Sequence, residues 1–271
     1  MITREDTGGK IIGRVLTDKQ TPEKAVRDLL QSRSFAFPTG TVLARNRAPE
    51  NNKRAKCQLC KVKDDTHCHR LMECKEIKDA QQKMHNDIAA ALIMAITSEQ
   101  QKLKPKPMTE TYIETTVKTL WSTAPIGIRN FQPDGVIWVK ENEHATRKSR
   151  IIIVEFTRTY TITEKEMNEA QTIKRNTYHN LVTYLKEKMQ GTGIEIELCP
   201  LAMSTLALVP RRTWETNITK TGITADRVDK VIEEGFKACT TAGHQLNNTY
   251  RSRMEALRMN QAAEMRKGGI G

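Results

Sequence analysis

The chain has 271 residues, 38% of them hydrophobic, which supports a real core in one large domain or two modest ones and excludes disorder throughout. Its 44 Lys and Arg outnumber 32 Asp and Glu, for a formal net charge of +12, the balance of a surface that binds a polyanion such as nucleic acid. No stretch approaches the ~20 apolar residues of a membrane span, and the first residues lack the apolar run of a signal peptide, so the chain reads as intracellular with no membrane partner.

In chain order, Thr21 to Gln31 is the first predicted helix, with Pro22 in its first turn and Ala25, Val26, Leu29 and Leu30 forming an apolar stripe. From Phe35 to Lys56 the chain is Pro-rich and basic. Arg45, Arg47, Lys53, Arg54 and Lys56 make this segment either a linker that touches phosphates or a solvated loop. Lys75 to Glu99 reads as a helix, because Ile77, Ala80, Met84, Ile88, Leu92 and Ile96 recur every three or four residues. Beyond the Lys-Pro-Lys-Pro run at 104–107, segments 111–119, 133–140 and 151–157 are rich in β-branched and aromatic residues and read as three strands. A helix follows from Thr163 to Met189, ended by Gly191 and Gly193, and then two strands at 194–198 and 203–209 bounded by prolines. Strands, helix, strands make an α/β sheet sandwich. The tail reads as two helices, Ala225 to Ala242 and Gln245 to about Lys267, basic at its end through Arg251, Arg253, Arg258, Arg266 and Lys267.

Cys57, Cys60, Cys68 and Cys74 crowd into 18 residues together with His67 and His69, whereas Cys199 and Cys239 stand alone. In a reducing compartment such crowding points to metal rather than disulfides. The pattern Cys57-x2-Cys60-x8-His69-x4-Cys74 offers three thiolates and an imidazole, the tetrahedral donor set of a structural zinc. His67 and Cys68 are the near competitors as ligands, and Lys56, Lys61, Lys63 and Arg70 are placed to depress the thiol pKa values.

Asp134 follows Pro133 at the start of one predicted strand, and Glu155 lies near the end of the next. Adjacent strands can bring two such carboxylates to one edge of a sheet, where hard oxygen donors suit Mg2+. The pair resembles the PD-(D/E)xK signature of restriction-type nucleases, except that the lysine expected two residues after the glutamate is Thr157. A cation must then come from elsewhere. Lys174 is the candidate, sharing a helix face with Tyr178 at i, i+4, with Lys165 and Arg158 as alternatives.

The order of these pieces resembles the C-terminal region of the early-branching, single-reading-frame, site-specific non-LTR retrotransposons, which carry a zinc knuckle and a restriction-like endonuclease after the reverse transcriptase. Phe37-Pro38-Thr39 with Leu43-Ala44-Arg45 looks like the segment before the knuckle. Cys57, Cys60, His69 and Cys74 match its ligands, and His85-Asn86 matches an Arg-His-Asn motif whose arginine is Met84 here. Arg129 to Val136 resembles the basic Pro-Asp block, Val154 to Thr157 the second acidic strand, and Lys174 to Tyr178 a Lys-x-x-Lys-Tyr motif whose second lysine is Thr177. The interval between Asp134 and Glu155 is longer than is usual in that family, with the excess in the charged hairpin Glu141 to Arg150.

The resemblance implies a helical and basic linker (1–56), a knuckle (57–75), a restriction-endonuclease-like mixed sheet flanked by helices (76–222) and a basic helical tail (223–271). It implies a nuclear, Mg2+-dependent endonuclease that nicks a DNA target so that the exposed 3'-hydroxyl primes reverse transcription. Asp134, Glu155, Lys174 and Tyr178 would serve catalysis, and Arg45, Arg47, Lys53, Arg54, Lys56 and Arg129 nucleic-acid contact. Element RNA and a reverse transcriptase encoded elsewhere are the further partners, since no Tyr-x-Asp-Asp or Phe-x-Asp-Asp box occurs and the chain reads as a detached terminal part of such a polyprotein. The competing expectations are an inert nuclease fold that binds nucleic acid, and a zinc-stabilised protein-interaction domain.

Overall fold

In the computed structural model the described residues are 14–34, 39, 42–43, 55–143, 145–161 and 163–268. The helices are α1 (Glu23–Arg33), α2 (Lys78–Gln101), the single turns α3 (Val117–Leu120) and α4 (Ile126–Arg129), α5 (Glu164–Lys188), α6 (Arg211–Lys220) and α7 (Ala225–Gly268). The strands are β1 (Met108–Ile113), β2 (Gly135–Lys140), β3 (Arg150–Thr159) and β4 (Glu195–Ser204). Two compact units emerge, neither continuous in sequence. Among the described residues one takes in 14–18 and His85–Ala238, the other Lys19–Met84 and Cys239–Gly271. Helices α2 and α7 each contribute residues to both.

The larger unit is built on a mixed sheet in the order β1-β2-β3-β4. β1, β2 and β3 form an antiparallel meander, and β4 runs parallel to β3, an arrangement that needs a long crossover, which α5 supplies. β3 is central, and Ile151 to Val154 and Phe156 are fully buried, so it reads as a continuous apolar run rather than an alternation. Helix α5 starts where the Thr163 side chain accepts the backbone N–H of Glu166. It packs Tyr178, Leu181 and Leu185 with Val136, Ile151, Ile153 and Ile196 of the sheet. Strand alternation turns Gly135 the opposite way to Val136. There α2 comes so close that a Cβ on Gly135 would lie 2.5 Å from Ile93 Cδ1.

Three regions of the predicted pattern are corrected. The first strand ends at Ile113 rather than continuing to 119: its pairing runs from Met108↔Lys140 to Ile113↔Gly135, and Glu114 at φ 49° turns the chain out before α3. The segments 194–198 and 203–209 are not two strands but β4 and the turn after it. Pro200 is tolerated inside β4 because that strand lies at the sheet's edge. The tail is one helix, with Gly243 inside it.

The smaller unit holds α1, a π-helical turn His69–Glu73, the 3-10 turn Lys75–Ile77 and the second half of α7. Asp28 of α1 is buried and accepts from His244 Nδ1 at 2.7 Å.

Candidate functional site

In the smaller unit, the bridge Lys56↔Asp64 closes a loop in which Cys57 N–H donates to Lys63 and Lys61 N–H donates to Cys57. Lys61 takes the left-handed conformation at φ 59°, which lets the loop bring Cys60 back beside Cys57. His69 opens the π-helical turn and Cys74 closes it. The ligand atoms of Cys57, Cys60, His69 and Cys74 all lie within 4.8 Å of one another, and the group could hold a metal ion such as zinc.

The acid–base chemistry fits. Burial pushes the Cys74 thiol up to about 12, reinforced by Cys57 at 3.9 Å. Burial also opposes ionisation of Cys60, but hydrogen bonds from the backbone N–H groups of Lys63 and Val62, together with those from Cys57 and Cys74, bring that thiol below its ordinary value. Burial lowers the His69 pKa, which favours the neutral, ligating imidazole. A divalent cation among these atoms compensates thiolates that burial otherwise disfavours.

His67 stands apart, with Nε2 3.1 Å from Ser32 Oγ and a pKa lowered by burial to about 4. Three of the four basic neighbours are engaged elsewhere: Lys56 with Asp64 at 3.1 Å, Lys63 with Glu73 at 3.0 Å, and Arg70 in a bidentate pair with Asp65. Sequence reasoning missed Tyr250. Its hydroxyl lies 3.4 Å from Cys57 Sγ and donates to Asp65, and the Arg70 guanidinium stacks 4.1 Å above its ring.

The second constellation belongs to the larger unit. Asp134 immediately precedes β2, and its backbone N–H donates to Glu155 Oε1 at 3.2 Å. Asp134 Oδ2 accepts the Phe156 N–H at 2.7 Å, and Oδ1 accepts from His85 Nε2 at 3.1 Å. Glu155, on β3, is 1% exposed, and its Oε2 accepts from Lys174 Nζ of α5 at 2.9 Å. Burial raises the Glu155 pKa and the Asp134 charge adds to the rise, against the pull of Lys174. Tyr178 donates to the Gln132 carbonyl at 3.3 Å, and burial beside Glu155 raises its pKa, keeping the phenol protonated.

Asp134, Glu155, Lys174 and Tyr178 are thus brought to one end of the β2–β3 pair. Thr157 Oγ1 is buried without a hydrogen-bond partner among the described residues, and the ammonium beside Glu155 comes from the helix instead. Lys165 is exposed and pairs with Glu169. Arg129 ends α4 and is half-buried. Arg45, Arg47, Lys53 and Arg54, with the Phe37-Pro38 and Ala44-Arg45 motif residues, lie outside the described residues. Lys56 is exposed, in the ion pair already given.

Fold and sites define a mixed α/β protein with a Cys/His group able to hold a metal and, in a separate unit, a carboxylate pair, Glu155 buried and Asp134 half-buried, bonded to a lysine and a histidine. No family model matches the chain, and no curated protein matches it. No helix among the described residues is long and apolar enough to cross a membrane.

Proposed function

We propose that the protein is a metal-dependent DNA endonuclease of the restriction type, with a structural zinc at Cys57, Cys60, His69 and Cys74. The observation that carries this reading is the convergence of three segments on Glu155, whose carboxylate accepts from the Asp134 backbone N–H and from the Lys174 ammonium. The donor set fits Mg2+: both carboxylates offer hard oxygens, and a divalent cation would favour the ionised form of Glu155, which burial first and the Asp134 charge second disfavour. Held by Asp134 and Glu155, Mg2+ would acidify an attacking water and neutralise charge on the scissile phosphate.

The protein's own groups do the rest. The Lys174 ammonium, 30% exposed and anchored on Glu155, presents its remaining N–H donors to the water or to a phosphate oxygen. Tyr178 remains protonated and fixes the wall behind Glu155. Phosphate contact also finds support in the distribution of charge. Residues 19–84 and 239–271 hold 20 Lys and Arg against 10 Asp and Glu, whereas 14–18 and 85–238 hold 22 against 20. The unit with the Cys/His group therefore carries most of the excess positive charge.

In the setting that the sequence resemblance implies, a nuclear non-LTR element product, the nick supplies the 3'-hydroxyl that primes reverse transcription. Supercoiled plasmid treated with zinc-loaded protein and Mg2+ tests this polarity: the open circles should be extended by an added DNA polymerase without end repair. Nicks that need phosphatase treatment first would rule out the priming role. The second reading, a polynucleotide-binding protein with an inert nuclease site, is favoured by Thr157 in place of a lysine. Salt-sensitive binding with no nicking would establish it.

A further inference from the structure

We infer that His85 is a positioning residue for the Asp134 carboxylate, and through it sets the affinity of the carboxylate pair for a divalent cation. This rests on the nuclease reading. Asp134 is clamped from two directions, by the backbone N–H of Phe156 on Oδ2 at 2.7 Å and by the His85 imidazole on Oδ1 at 3.1 Å. A carboxylate only accepts, so His85 must carry its proton on Nε2. The terminal torsion of an aspartate is soft, and one backbone donor leaves the second oxygen free to swing. The imidazole removes that freedom and fixes the direction of the remaining lone pair on each oxygen.

The imidazole is itself held. Its ring centroid lies 5.4 Å from that of the fully buried Phe156. Its helix is seated on the sheet by Ile93 against Gly135, the residue next to Asp134. Loss of a partner that orients a metal ligand costs about 10–100-fold in metal affinity.

The test measures Mn2+ binding to the zinc-loaded full chain by electron paramagnetic resonance, with thermal unfolding followed in parallel, for wild type, Asp134→Asn, His85→Ala and His85→Gln. Asp134→Asn should abolish one Mn2+ site. His85→Ala should weaken that site at least about tenfold with the melting transition unchanged, and His85→Gln, whose amide N–H can replace the imidazole donor, should restore most of the affinity. Equal Mn2+ affinity in wild type and His85→Ala overturns the inference, as does a loss that glutamine fails to restore. If Asp134→Asn binds Mn2+ like wild type, the carboxylate site itself falls, and the role of His85 with it.

Discussion

Gly135→Ala is a one-methyl perturbation next to the candidate site, and its cost follows from the packing. The new Cβ would lie 2.5 Å from Cδ1, 2.8 Å from Cγ1 and 3.2 Å from Cγ2 of Ile93, where carbon atoms prefer about 3.5–4.0 Å. Ile93 is fully buried, and its β-branched side chain is stiff at χ1, so relief requires α2 to move off the sheet. Overpacking of this kind costs about 1–3 kcal/mol, which for the larger unit corresponds to a fall of roughly 2–12 °C in melting temperature. Calorimetry on the zinc-loaded chain reads the shift. In an Ile93→Ala background the three clashing atoms are gone, and the same glycine substitution should then be neutral or mildly stabilising. An equal cost in both backgrounds, or none in wild type, would refute the packing argument.

Thiol titration checks the metal group: with zinc bound only the half-buried Cys68 should react promptly, and a chelator should add Cys57, Cys60 and Cys74. Cys199 should stay silent at pH 8 in both states, because burial pushes its thiol up to about 12; four prompt thiols before chelation would contradict the site. Tyr250→Phe removes the hydroxyl beside Cys57 and Asp65. It should cost about 1–2 kcal/mol and speed zinc transfer to a competing chelator, and zinc release at the wild-type rate would deny that contact a role. Asn217→Ala strips the donor that bonds both Gln171 Oε1 and the Pro200 carbonyl, each at 2.7 Å. Leaving those buried acceptors unpaired should cost about 1–3 kcal/mol in urea unfolding.

Where local pattern decides structure, the sequence was readable. The apolar spacing from Met84 to Ile96 marks α2, and four of those residues are fully or almost fully buried. The thiol spacing likewise identifies the Cys/His group without any long-range information. What escaped depends on distant partners. β1 is displaced from its predicted place because its register is set by pairing with Lys140 and Val139. β4 was split at Pro200, since nothing local says that the strand lies at an edge. The two helices expected in the tail are one, which continues through Gly243 with Ala242 and Leu246 buried on either side. His85 had a motif but no assigned role, because its acceptor Asp134 lies 49 residues away. Tyr250 was invisible for the same reason, 193 residues from Cys57.

The proposed role of the carboxylate pair is to cut DNA. Its most direct measurement is nicking of supercoiled plasmid by zinc-loaded wild type and Asp134→Asn, side by side in Mg2+, with both proteins first matched for melting temperature. Wild type should give open circles, and the variant a loss of at least about 100-fold, the scale of a lost charge-stabilising group. Nicking that survives Asp134→Asn would take the reaction away from this site.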